Sequence, residues 1–198
     1  LVKRTALDQF KNIRTGGLRA IHRADDDDLV SVKVAGDDSF IVLVTAQGMS
    51  IVFPITHTRA MGRATQGVRG IKLKKEDTVV GLEIVSAADL GVSAPTGEGD
   101  DADDGADSSD EPEEEAAETA EPAELGEAVE AGEGEDGEVI VDDEDTLLFV
   151  TANGFGKRVP LNAFRIQRRG GLGLRAIPLT DRNGALVFDS NAISIEDL

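Results

Sequence analysis

Cysteine, tryptophan and tyrosine are all missing from the 198 residues, and each absence removes a class of chemistry. Without cysteine there is neither a disulfide framework nor a thiolate metal site, so a reducing cytoplasm is the simplest home. Without tyrosine there is no phenolic nucleophile. Histidine occurs only as His22 and His57, in unrelated contexts, and both are expected to be surface or structural residues. No apolar run reaches the ~18 residues of a membrane span and no cleavable signal precedes the first strand, so no membrane partner is expected. No Gly-x-x-x-x-Gly-Lys-Ser/Thr loop is present, and the phosphate-loop lookalike "GGLGLR" joins strands instead of opening a helix. Acid pairs such as Glu76-Asp77 and Asp142-Asp143 are expected to be solvated turn residues.

Positive charge is missing from one long stretch. Between Ser86 and Asp145 there are 25 Asp and Glu and no Lys or Arg, so the remaining residues hold 14 acids against all 20 bases. The formal charge of −19 therefore conceals a remainder of about +6. Like charges repel, and the stretch has too little apolar surface to offset the entropy of ordering, so residues 86–145 are expected to form a disordered acidic insert. One use for such an insert is competition with a polyanion for a nearby cationic surface; the other is that of a plain spacer.

Short apolar segments bounded by Gly, Asp and Asn make up the rest. "LVSVKV" (29–34) alternates in the period-2 manner of a half-buried strand, whereas "SFIVLVTAQG" (39–48) reads as a strand buried on both faces. "TVVGLEIV" (78–85), "TLLFVTANG" (146–154) and "GALVF" (184–188) are expected to behave like the latter. No segment carries a 3.6-residue apolar stripe long enough for a stable helix, so the fold class is all-β.

These segments repeat. "VTAQG" at 44–48 returns as "VTANG" at 150–154, "VKRTALDQF" at 2–10 as "GKRVPLNAF" at 156–164, and "GGLRAI" at 16–21 as "GGLGLRAI" at 170–177. Without the insert the period is roughly 46–50 residues. About three units of four short strands suggest a propeller-like ring, each blade burying its faces against its neighbours.

In every unit one loop carries the cations. Arg14 and Arg19 flank Gly16-Gly17; Arg59, Arg63 and Arg69 accompany Gly62, Gly67 and Gly70; Arg165, Arg168, Arg169 and Arg175 accompany Gly170, Gly171 and Gly173. Radially stacked blades would line these loops along one rim as a curved positive stripe, suited to a bent polyanion. Glycine lets backbone approach a phosphate and arginine contacts it bidentately.

"KRTALDQF", "RAMGRATQGVRGIKL", "VVGLEIV", "TANGFGKRVPLNAF" and "QRRGGLG" resemble, in order, the blade motifs of the gyrase A family's C-terminal domain, the DNA-wrapping domain of DNA gyrase. The resemblance covers nearly all of the chain outside the insert. It implies a β-pinwheel that wraps double-stranded DNA around its outer edge within an ATP-driven type II topoisomerase introducing negative supercoils. It also implies partnership with the rest of gyrase A and with gyrase B in an A2B2 assembly, with ATP and Mg bound elsewhere and no cofactor here. The DNA-binding set it implies comprises the loop arginines above together with Lys157, Arg158 and Gln167. In the family heptapeptide Gln-[Arg/Lys]-Arg-Gly-Gly-[Arg/Lys]-Gly, Leu172 stands here in place of a base. That heptapeptide belongs to the family's first blade, whereas this copy follows blades of middle type.

Strand cleavage in this enzyme class needs a tyrosine, so no catalytic residue is expected in this chain. The resemblance further suggests a fragment: blades at 1–85, the first partial, and another at 146–198 with a truncated end. Two other readings remain open. One is the related C-terminal domain of topoisomerase IV, which directs substrate choice; the other is a propeller-like module whose arginines read an acidic protein.

Overall fold

The longest branched run becomes the centre of a sheet in the computed structural model, which describes residues 1–12, 15–95 and 145–187. Ser39–Thr45 (β1) is buried along its whole length. It pairs antiparallel with Met49–Pro54 (β2) on one side and with Val79–Ser86 (β3) on the other. Successive strand side chains point to opposite faces. Phe40, Val42 and Val44 accordingly enter one apolar cluster, and Ile41 and Leu43 a second on the opposite face. A strand buried on both faces cannot alternate with polar residues, which is why this segment reads as a continuous apolar run.

A second sheet is built from Thr146–Thr151 (β4), Gly156–Pro160 (β5) and Leu186–Val187 (β7), in the order β5-β4-β7. Its inner face, with Leu147, Phe149, Val159 and Leu186, packs against the Phe40, Val42 and Val44 face of the first sheet. The first sheet gains its fourth strand, Leu174–Arg175 (β6), from the segment that follows β5. Each β2-type strand leads into a single 3-10 turn, at Leu7–Phe10, Ile55–His57 and Leu161–Ala163. The all-β architecture expected from the sequence is thus present, with no α-helix among the described residues.

Three local expectations change. Residues 29–34 form no strand, and Val30, Val32 and Val34 are exposed at 49%, 75% and 76%; alternation alone makes no strand where no ladder partner lies alongside. Of the other strands expected to be buried on both faces, β4 is buried only at every second residue, β3 alternates between buried and half-buried, and Val187 of β7 is exposed, because β3 and β7 are edge strands and one face of β4 has no layer over it among the described residues. Asp77, expected to be solvated, is 7% exposed. Its Oδ1 accepts the N–H of Gln47 at 3.0 Å and of Thr78 at 2.9 Å, tying the β1–β2 hairpin tip to the start of β3.

The boundary at 86 also falls inside packed structure, since Ala87 and Leu90 are buried and Ser86 and Asp89 hydrogen-bond each other's backbone N–H. Residues 96–144 of the acidic insert, Arg14, and residues 188–198 lie outside the described residues.

Candidate nucleic-acid interface

Two of the three cationic loops are crossing segments that leave one unit and pair with the β2-type strand of the unit before. In the middle unit, Ala60 bridges Arg4 and Val68 bridges Val2; in the last unit, Ile166 bridges Val52 and Leu174 pairs with Ser50. The hydrogen bonds repeat as well: Met61 N donates to Arg4 O at 2.8 Å, and Gln167 N to Val52 O at 2.8 Å. The same intervening length, from 60 to 68 and from 166 to 174, produces the same excursion.

In each of these two loops a glycine is required by the crossing. A Cβ on Gly173, whose φ is +78°, would lie 2.3 Å from Ser50 O, and one on Gly67, at φ +113°, would lie 2.5 Å from Val2 O. Glycine at these two places serves backbone packing between units. The expectation that loop glycines are there for close phosphate approach therefore does not account for Gly173.

Adjacent crossing segments also bond to each other. Gly170 N donates to Gly70 O at 2.7 Å and Lys72 N to Gly171 O at 2.8 Å; one unit earlier, His22 N donates to Thr65 O at 3.1 Å. Arginines bracket the same joints. Arg169 donates from Nη1 to Arg69 O at 3.3 Å and from Nε to His57 O at 2.8 Å, while Arg63 donates from Nη1 to Arg19 O at 3.4 Å. The three loops therefore lie side by side, and Arg19, Arg63, Arg69 and Arg169 follow one another along the row.

Within this row the arginines differ in setting. Arg19, Arg59, Arg69, Arg165 and Arg168 are exposed, whereas Arg63 and Arg169 are half-buried. Arg175 is half-buried in β6 opposite Met49. Gln167, Gly170 and Gly171 take part through their backbone, as above. Lys157 and Arg158 stand apart from the loops, in β5, with Arg158 exposed and Lys157 opposite Phe149.

Two cations not singled out from the sequence join the row. Lys3 Nζ donates to Ala20 O at 2.8 Å and Arg63 O at 2.7 Å. Desolvation, and then the Arg63 charge, hold its ammonium below the ordinary lysine value, although the two carbonyls oppose that shift. Lys72 is exposed on the loop that bonds Gly171. Lys3 was legible as the match of Lys157 in the repeated Lys-Arg motif; Lys72 carried no signal beyond charge.

The family model for the DNA gyrase C-terminal domain, a beta-propeller, matches residues 1–35, 39–86 and 145–188. The gyrase A protein of Staphylococcus epidermidis is 30% identical over the whole chain, and that of Staphylococcus aureus 29%. The chain spans 16% of the length of these relatives. Among solved structures, the C-terminal domain of DNA topoisomerase IV has a TM-score of 0.43 and 18% identity, covering 93% of this chain and 56% of the other. A DNA gyrase A C-terminal domain has a TM-score of 0.35 and 17% identity, covering 87% and 57%.

Proposed function

Because the chain belongs to the family of DNA gyrase C-terminal domains, with their beta-propeller fold, we propose that it binds duplex DNA along its row of arginine and glycine loops and bends it around that edge. The observation carrying this reading is the edge-to-edge bonding of successive crossing segments, which strings Arg19, Arg63, Arg69 and Arg169 along one line. A duplex offers a regular line of phosphates, and cations spaced along a curved edge neutralise it without reading bases. Bending 20–30 bp through 40–90° costs about 1–6 kcal/mol, so several phosphates must be held at once.

Under this reading, Arg59, Arg69, Arg165 and Arg168 meet phosphate from their exposed positions, joined by Arg14, Arg19 and Arg175. Arg63 and Arg169 join them while spacing the loops. The blades lie on either side of the acidic stretch. In the parent protein the bound DNA would be presented to a strand-passage reaction that introduces negative supercoils with ATP, chemistry for which this tyrosine-free chain supplies no nucleophile. The remainder of gyrase A, and gyrase B, would be its partners there, in the cytoplasm.

The test is a salt series of duplex affinity for the 198-residue chain and for Arg165→Gln with Arg168→Gln. Binding should fall steeply between about 50 and 200 mM salt, and the double substitution should lower the log–log salt slope by about 0.9 per lost contact. An unchanged slope, or no binding at about 50 mM, rejects the interface.

A further inference from the structure

The joints between neighbouring arginine loops are built on one plan with one exception. Between the second and third loops, Lys72 N donates to Gly171 O at 2.8 Å, Arg169 Nη1 to Arg69 O at 3.3 Å, and Gly170 N to Gly70 O at 2.7 Å. Aligning Gly17, Gly67 and Gly173 gives the counterparts one joint earlier. There the first two bonds recur: His22 N donates to Thr65 O at 3.1 Å, and Arg63 Nη1 to Arg19 O at 3.4 Å. The third does not. Ala64 stands at the place of Gly170 and donates no backbone bond among the described residues. Ala20 O, at the place of Gly70 O, instead accepts the ammonium of Lys3 at 2.8 Å, and the same ammonium bonds Arg63 O of the second loop at 2.7 Å.

The place of Lys3 in its strand shows what this residue adds. It lies between Val2 and Arg4, which bridge Val68 and Ala60; one unit later the equivalent place, between Ser50 and Val52, is held by Ile51. Ile51 is fully buried beneath the third loop, where a Cβ on Gly171 would lie 3.7 Å from its Cδ1. An apolar side chain there packs against the loop and bonds nothing, because the Gly170 amide already meets the carbonyl. At the earlier joint no amide does so, and an ammonium with three donors reaches both loops at once. Bonds from a charged donor are roughly twice as strong as neutral ones, so a single side chain can replace the missing backbone link.

We propose that Lys3 is a positioning residue for nucleic acid: its ammonium sets the interval between the first and second arginine loops that a backbone amide sets between the second and third. It thereby holds Arg19 and Arg63 at the separation a bent duplex requires. This role rests on the DNA-binding reading above, while the clamp itself is measured without DNA. Lys3 acts through the two loops it joins, and its removal should therefore loosen one joint and lessen bending, beyond the loss of one charge.

In the DNA-free chain, Lys3→Met should raise amide hydrogen exchange at His22, followed by NMR, about tenfold, and leave Lys72 at the other joint unchanged. Methionine suits the fold here because Ile51 fills the equivalent place. With a duplex of about 30 bp carrying a fluorophore at each end, energy transfer at saturating protein reports the bend. It should fall in Lys3→Met, and Lys3→Arg should restore both readouts. Unchanged exchange at His22 overturns the proposal, as does an equal rise at Lys72, which would mark general loosening. A duplex bent as before, with only the salt slope lowered by about 0.9, overturns it in favour of a direct phosphate contact. If the unsubstituted chain binds no duplex at about 50 mM salt, the interface falls and this role with it, whatever His22 exchange shows of the clamp.

Discussion

Gly173 and Gly16 show how differently two glycines of one repeated loop are used. At Gly173 the backbone is left-handed, and a Cβ would press into the carbonyl of Ser50, whereas at Gly16 nothing lies within 4 Å. Gly173→Ala must strain the φ angle and push two units apart, costing about 1–3 kcal/mol from the backbone alone. Gly16→Ala should fall within about 0.5 kcal/mol of the parent chain. Urea unfolding midpoints of the two variants separate these outcomes; equal midpoints would mean that the crossing is not tight. Arginine shows a similar division. Arg169 spends two donors on neighbouring carbonyls, so its removal disturbs loop spacing as well as charge, while exposed Arg165 reports on charge more cleanly.

Strand β1 and its partners set the balance at the level of elements. Phe149 is fully buried between the two sheets and packs at 6.2 Å from Phe164, which follows the 3-10 turn Leu161–Ala163. Phe149→Ala should cost about 3–5 kcal/mol through the joint between sheets. Denaturant unfolding followed by circular dichroism measures it, and a loss below about 1 kcal/mol would show that the sheets are independent. The segment 29–34 illustrates the reverse case. Its alternating valines have the right pattern, but a strand without a ladder partner leaves its N–H and C=O groups to water and gains nothing from being extended.

Charge operates on the whole molecule. The chain carries −19, yet residues 96–144 hold 23 of its 39 acids and none of its bases. Deleting them leaves a net charge of +4 and should raise affinity for duplex DNA, most at low salt where the field reaches farthest. A titration of both chains at several ionic strengths decides it: equal affinities throughout would make the stretch a spacer with no electrostatic influence.

Composition and pattern alone determined the all-β class, the repeat, the strand buried on both faces, and the concentration of arginine and glycine in equivalent loops. These follow from periods of two and of about 50 residues, which survive in one dimension. Which unit each loop serves was decided only by the tertiary structure, because pairing depends on contacts between residues more than a hundred positions apart, such as Ser50 with Leu174. That crossing is also what makes Gly173 a packing residue and gives Lys3 and Arg169 carbonyl partners in other units. A repeat written in sequence states that units are alike; the hydrogen-bond ladder between them states which strand each one lends, and a backbone amide carries no side-chain signature by which that loan could be read.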